Sequence, residues 1–195
     1  INVGYWPDQD LLDFIFENNP WGVEDIRTSN EFPIYVLGTN GLGLAKYEFL
    51  FERSSLTSNV GYNYTIISAF RGDEVILNRA ESYVFKNQLD LALADLQLFI
   101  SKRYDGNPSL TLQLLRAYYG TTNNQEATLN FILDERRKEF IHEGIRWLDI
   151  KRYNIPVQHV LQDGNLIALE PEDLRKVLQI PQSAIDVGGL DPNPR

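Results

Sequence analysis

Residues 72–103 hold two consecutive runs of helical periodicity with only about two residues between them. No other feature constrains the fold as much. In Gly72–Asn87 the apolar residues Ile76, Ala80, Tyr83 and Val84 recur at i, i+4, i+7 and i+8, which is one helical face. Gln88–Arg103 repeats the pattern with Leu89, Ala92, Leu93, Leu96, Phe99 and Ile100. Asn87 can close the first helix, and so short a connection makes the second fold back antiparallel. Asp105-Gly106-Asn107-Pro108 then ends the pair.

The small residues Ala80 and Ala92 resemble the close-packing positions of a tetratricopeptide-type hairpin. Downstream, the pattern predicts a short helix at Ser109–Tyr119 and a third long helix, Gln125–Glu143, after Asn123-Asn124. Leu129, Ile132, Leu133 and Phe140 are its apolar positions. Gly144 interrupts it, and Ile145–Tyr153 forms a further helical piece ending at Asn154-Ile155-Pro156. A hairpin-like turn at Asp163-Gly164-Asn165 precedes a Pro171-led helix through Val177. The tail Ile180–Arg195 holds three Pro and two Gly and reads as extended and draped.

Upstream, residues 1–70 read as irregular, aromatic- and turn-rich. Turn signals stand at Trp6-Pro7, Asn18-Asn19-Pro20-Trp21, Gly38, Gly41 and Gly43. Between them lie β-prone stretches at Phe32–Leu37, Tyr47–Phe51 and Tyr62–Ile67. The expected architecture is mostly α, with a tetratricopeptide-type helical hairpin, irregular loops and short β segments. Residues 71–195 form its helical C-terminal region, and the whole is expected to be one domain.

Composition removes several functions. With 43% hydrophobic residues the chain has the material for a sizeable core. There is no Cys, hence no disulfide, thiolate metal site or cysteine nucleophile. Twenty-seven Asp+Glu against 18 Lys+Arg, a formal net charge of −9, make nucleic acid a poor partner. No apolar run reaches the roughly 20 residues of a membrane helix, and the Ile1 end carries no signal-peptide pattern. Met is absent too, so Ile1 reads as an internal or processed start of something longer.

The densest charged segment is Asp134-Glu135-Arg136-Arg137-Lys138-Glu139, followed by Glu143, Arg146, Asp149 and Arg152. Arg136 falls seven residues after Leu129 and four before Phe140, on the apolar face. A buried Arg demands a partner, since leaving it unpaired costs about 3–5 kcal/mol. Arg146, Asp149 and Arg152 are spaced by three, so Asp149 can bridge both guanidinium groups. Glu74, Arg79 and Glu81 on the first helix are the obvious opposite bank. A structural ion-pair network outweighs a catalytic one.

Glu139-x-x-His142 has the spacing of di-metal carboxylate bundles, but these need the motif twice, and the only other histidine, His159, has no such partner. No metal, cofactor or catalytic residue is expected. Gly-x-Ser-x-Gly elbows, phosphate loops and dinucleotide fingerprints are missing. Paired carboxylates for glycoside cleavage stay open among 27 acids, though nothing singles out two. Loop-side aromatics are the better lead: Trp6, Trp21, Tyr62, Tyr64, and Tyr118-Tyr119-Gly120. Flat apolar rings with a polar rim suit sugars, which present C–H patches flanked by hydroxyls. Plugging a core is the competing role of each.

At this point the residues resemble a known family. Arg71-x-x-Glu74-Val-Ile-Leu-Asn78-Arg-Ala-Glu81 with Ala92-x-x-Asp95-Leu96 is similar to an element of the SusD/RagB-family nutrient-binding lipoproteins. Ile132-Leu-Asp-Glu135-Arg136-Arg-Lys-Glu139-Phe140-x-x-Glu143-Gly144-x-Arg146-Trp147-x-Asp149-x-Lys-Arg152 resembles that family's most characteristic segment. Ile180-Pro181-Gln182-Ser183-Ala184-Ile185 with Asn193-Pro194 is similar to its closing pattern. Asp25-x-Arg27 and Lys46-Tyr47 extend the likeness upstream. Gly72-Asp73, Gln179 and Gly188-Gly189 depart from it.

The resemblance implies a mostly helical protein, lipid-anchored at the outer face of the outer membrane. It implies capture of oligosaccharide or peptide for a SusC-like TonB-dependent transporter, with no bond broken. This chain would be the C-terminal portion, without the lipid-carrying Cys. Ligand residues vary between members, so none is carried over. The rival readings are a helical-repeat module that binds a protein or peptide, and a carbohydrate-active hydrolase.

Overall fold

The computed structural model describes residues 9–28, 35–38, 41–44, 46, 48–66, 68–161 and 163–194. Trp6, the Phe32–Pro33–Ile34 start of the first β-prone stretch, Tyr47 and Ile67 lie outside them. The chain divides into two compact units, Ile1–Lys138 and Glu139–Arg195.

In the first unit, α1 (Gln9–Phe16) is followed by a one-turn 3-10 helix at Ile26–Thr28. Two antiparallel hairpins come next, β1 (Tyr35–Gly38) with β2 (Gly41–Leu44), and β3 (Glu48–Arg53) with β4 (Gly61–Ile66). Then come α2 (Gly72–Phe85), α3 (Leu89–Ile100), α4 (Leu112–Tyr119) and α5 (Asn124–Glu139), whose last residue belongs to the second unit. The pair α2–α3 is the hairpin that the periodicity predicts. Asn87 adopts φ 54°, its N–H donates to the Val84 carbonyl, and the Gln88 N–H reaches back to Tyr83. This is a Schellman closure with Asn at the left-handed position. Ala80 and Ala92 are fully buried, which lets the backbones approach while Leu77, Val84, Leu96, Phe99 and Ile100 close the interior. Each of those five large side chains contributes about 1.5–3 kcal/mol by leaving water. On the rim Asp95 accepts two bonds from Arg79, both 2.7 Å. From α5, Gln125 caps α2 by donating to the Val84 carbonyl at 2.8 Å.

Three local expectations change in this unit. α1 is helical, although turn residues dominate its neighbourhood; buried Ile15 and Phe16 anchor its end. Gly41 and Gly43 stand inside β2, opposite Gly38 and Val36, rather than in turns. The long helix starts one residue earlier and stops at Glu139, not Glu143, because His142 (φ 63°) and Gly144 (φ 76°) both take left-handed conformations that end an α-helix.

In the second unit, α6 (Ile145–Arg152) leads through Asn154 (φ 51°) to β5 (Val157–Val160). That strand pairs antiparallel with β6 (Leu166–Leu169) around the turn at Asp163-Gly164-Asn165. The Pro171-led helix shrinks to a 3-10 turn at Leu174–Lys176, because Asp173 caps it by accepting from the Arg175 N–H and Val177 is already extended. The tail is not wholly extended: Gln182–Gly188 forms α7, with Pro181 at its start and Gly189 (φ 63°) closing it. Pro and Gly read as breakers here stand at the two ends where helices tolerate them. Gln179, a departure from the family pattern, clamps the tail: its side-chain amide donates to the Asn193 carbonyl at 2.7 Å and accepts from the Asn193 N–H at 3.1 Å.

Candidate functional site

A buried charge cluster sets the frame of the first unit. Asp25 forms an isolated antiparallel bridge with Tyr104, just beyond α3, and backbone bonds on either side hold the two segments together. Arg27 Nε and Nη2 donate to Asp25 at 2.8 and 2.6 Å, and Nη2 reaches Glu135 of α5 at 2.8 Å. The Tyr104 hydroxyl donates to Glu135 and accepts from Lys138 at 2.9 Å. Lys138 also donates to the Asn18 carbonyl at 3.1 Å. All five side chains are buried, and two cations balance two anions.

Burial works against the Arg27 charge, but Glu135 and Asp25 outweigh it and hold the guanidinium above its ordinary pKa. For Lys138 burial wins over the attraction of Glu135 and lowers the ammonium. Burial, reinforced by Glu135, pushes the Tyr104 hydroxyl well above the usual phenol range. Each of these side chains is at most 5% exposed, so the cluster acts as a clasp between the Trp21–Thr28 segment, the end of α3 and α5. Asp25-x-Arg27 was its only upstream sign in the sequence.

The clasp fixes a cleft of about 410 Å³ between α1, α4 and α5, lined by Phe14, Ile15, Asn18, Tyr118, Tyr119, Asp134, Arg137 and Lys138. That size falls within the roughly 300–1,000 Å³ of small-ligand pockets. Thr111 caps α4 at its start, and Gly120 (φ 64°) stops it just after the two tyrosines. Their rings meet edge to face at 4.9 Å. Tyr119 donates its hydroxyl to Asp134 at 2.7 Å, and burial followed by Asp134 pushes that hydroxyl well above its ordinary pKa. Tyr118 is 40% exposed, and its hydroxyl is raised for the same two reasons. Across the cleft Phe14 is 61% exposed, with the Arg137 guanidinium 5.7 Å from its ring centre.

Chemically, this lining offers ring faces beside one carboxylate, one amide, one half-buried guanidinium and the buried Lys138 ammonium. Among the described residues it holds no hydroxyl–imidazole pair and no second carboxylate for acid–base work. Among the described residues no group of three His, Asp or Glu could hold a metal ion.

Tyr62 and Tyr64 lie apart from this lining. They alternate on β4, opposite Glu52 and Leu50, so they share one face of the hairpin, 76% and 46% exposed. A second, shallower depression is lined by Phe51, Glu52, Arg53, Ser55, Leu56 and Tyr64. Trp21 is engaged inward: its indole N–H donates to the Ser109 carbonyl at 2.8 Å, and its ring packs against Tyr104 and Phe131.

The charged residues singled out in the sequence are distributed as follows. Arg136 is buried and donates to Asn78 of α2 at 2.6 Å, while Glu81 is buried and Glu74 half-buried on the same helix. Glu135 turns to Arg27 and Tyr104. In the second unit Asp149 is buried and takes a 2.7 Å bond from Arg152, with Arg146 half-buried. Sequence reasoning missed Phe14 and Arg137. The helical spacing of Asp134 and Arg137, three apart, was the one available signal for Arg137, and Phe14 had none.

A family model described as the SusD family matches residues 39–188, from just past β1 to the last residue of α7. Tyr118, Tyr119, Asp134 and Arg137 fall inside the match, whereas Phe14 and Asn18 fall outside it. No curated protein matches the chain.

Proposed function

The chain belongs to the SusD family, whose members bind nutrients at the outer membrane, and on that premise we propose that it captures oligosaccharide at the external face of that membrane. The ligand passes unchanged to a SusC-like TonB-dependent transporter, and a lipid anchor holds the protein in place. No helix among the described residues is long and apolar enough to cross a membrane. The observation that carries the reading is the cleft in which Tyr118 and Phe14 offer ring faces beside Asp134, Arg137 and Asn18. A pyranose stacks its C–H face on such rings and gives its hydroxyls to the polar groups at their edge.

The test is an oligosaccharide and peptide panel, read by calorimetry and by chromatography of the recovered ligand. Retained, uncleaved oligosaccharide is expected; cleaved product would reveal a hydrolase, and binding of peptides alone would reveal a peptide receptor. Tyr118→Ala is expected to weaken capture about tenfold, since a lost platform forfeits roughly 1–2 kcal/mol. Unaltered affinity in that variant removes the cleft from the reading. Tyr62→Ala and Tyr64→Ala report on the hairpin face in the same assay.

A further inference from the structure

Of the three charged side chains that line the cleft, two are engaged within the protein. Lys138 is buried, sits 3.7 Å from Glu135 and 3.9 Å from Asp25, and donates to Tyr104 and Asn18. Asp134 receives the Tyr119 hydroxyl. Arg137 differs. It is half-buried, its guanidinium lies over Phe14, and among the described residues it forms no ion pair. A guanidinium held over a ring keeps its in-plane N–H donors for an acceptor, and its forked geometry matches a carboxylate.

We propose that the cleft selects oligosaccharides bearing a uronate: the acidic sugar's carboxylate pairs with Arg137 while its ring lies against Tyr118 and Phe14. The inference rests on the oligosaccharide-capture reading and names the class of sugar. Charge-assisted bonds to a carboxylate are roughly twice as strong as those to a neutral hydroxyl, so the acidic sugar gains where a neutral one does not. Asp134 is compatible with this arrangement because a carboxylate acceptor serves the sugar's hydroxyls, leaving the acid group to the Arg137 side. The chain's net charge of −9 opposes approach of an anion from afar. At physiological salt that opposition fades beyond about 8 Å, and the local cation decides.

The probes are oligogalacturonate and its fully methyl-esterified form, which has the same rings without the charge, titrated against the complete chain. The acid is expected to bind about tenfold more tightly than the ester. Arg137→Gln is expected to close that gap by weakening the acid far more than the ester, with the melting temperature near wild type, and Arg137→Lys to restore part of it. Equal binding of acid and ester, with Tyr118→Ala still weakening both, overturns the uronate preference and leaves the capture reading standing. Acid binding that survives Arg137→Gln unchanged overturns it as well. If neither sugar nor any other oligosaccharide is retained, the capture reading falls and takes this inference with it.

Discussion

Glu135→Gln is the sharpest test of the clasp. The wild-type cluster holds Arg27 and Lys138 against Asp25 and Glu135, all four at most 5% exposed. The substitution keeps the shape and removes one negative charge, so one positive charge stays buried without compensation. Arg27 loses a 2.8 Å charged partner, and the Tyr104 hydroxyl loses its carboxylate acceptor. Breaking a buried pair from one side costs about 3–5 kcal/mol, against a total stability for such domains of about 5–15 kcal/mol. In urea this lowers the midpoint by roughly 2 M.

Trp21 is a local reporter, its ring 5.1 Å from Tyr104, once Trp6 and Trp147 are replaced by Phe. The control is Arg27→Met with Glu135→Leu. It leaves Asp25 and Lys138 as a balanced pair 3.9 Å apart, and is expected to be much less destabilised than the sum of its two single changes. Arg79→Ala, which breaks the solvent-facing bridge to Asp95, is expected to cost far less than Glu135→Gln. A loss below about 1 kcal/mol for Glu135→Gln, or additivity in the double variant, would refute the view that charge balance holds this buried cluster.

Two further expectations concern stability and the β3–β4 hairpin. Tyr104 and Tyr119 have folded-state pKa values raised above those of the unfolded chain, so the native state keeps protons that the unfolded state releases. Their stabilisation is full below about pH 10 and declines above it by about 1.4 kcal/mol per pH unit for each. Tyr104→Phe and Tyr119→Phe are each expected to remove one such slope from a denaturation series at rising pH; an unchanged slope denies the burial. Lys138, lowered by burial, acts with the opposite sign only below about pH 10.4, where the unfolded lysine gives up its proton. At Gly61 an added Cβ would stand 2.1 Å from the Glu52 carbonyl oxygen and 2.9 Å from the Arg53 Cα, both backbone atoms. Gly61→Ala is therefore expected to unzip the Arg53–Gly61 end of the hairpin, seen as faster amide exchange at Ser54 and Tyr62.

Local grammar made the helical hairpin legible, because apolar spacing, small residues at the contact and an Asn at the end all act over a few residues. Arg136 was legible as a buried arginine for the same reason: its position on the apolar face follows from helical period alone. Counting breakers without regard to where they fall in an element hid α7, whose Pro181 and Gly189 mark its limits, and placed the glycines of β2 in turns. α1 was hidden by the turn residues crowded around it, and only the burial of Ile15 and Phe16 shows what anchors it.

By itself, then, the sequence determined the family, the mostly helical class and the α2–α3 pair, all written in short-range spacing and in motifs. It also showed Tyr118 and Tyr119 as neighbours ahead of a glycine. Only the tertiary structure decided that Phe14 faces them, that Asp134 holds the Tyr119 hydroxyl, and that Arg137 is the lining charge left without an ion pair among the described residues. Phe14 and Arg137 are more than a hundred residues apart, and no periodicity reaches that far. They meet because Asp25 pairs with Tyr104 and Arg27 binds Glu135. Burial makes those charges find one another, and that requirement acts through space rather than along the chain.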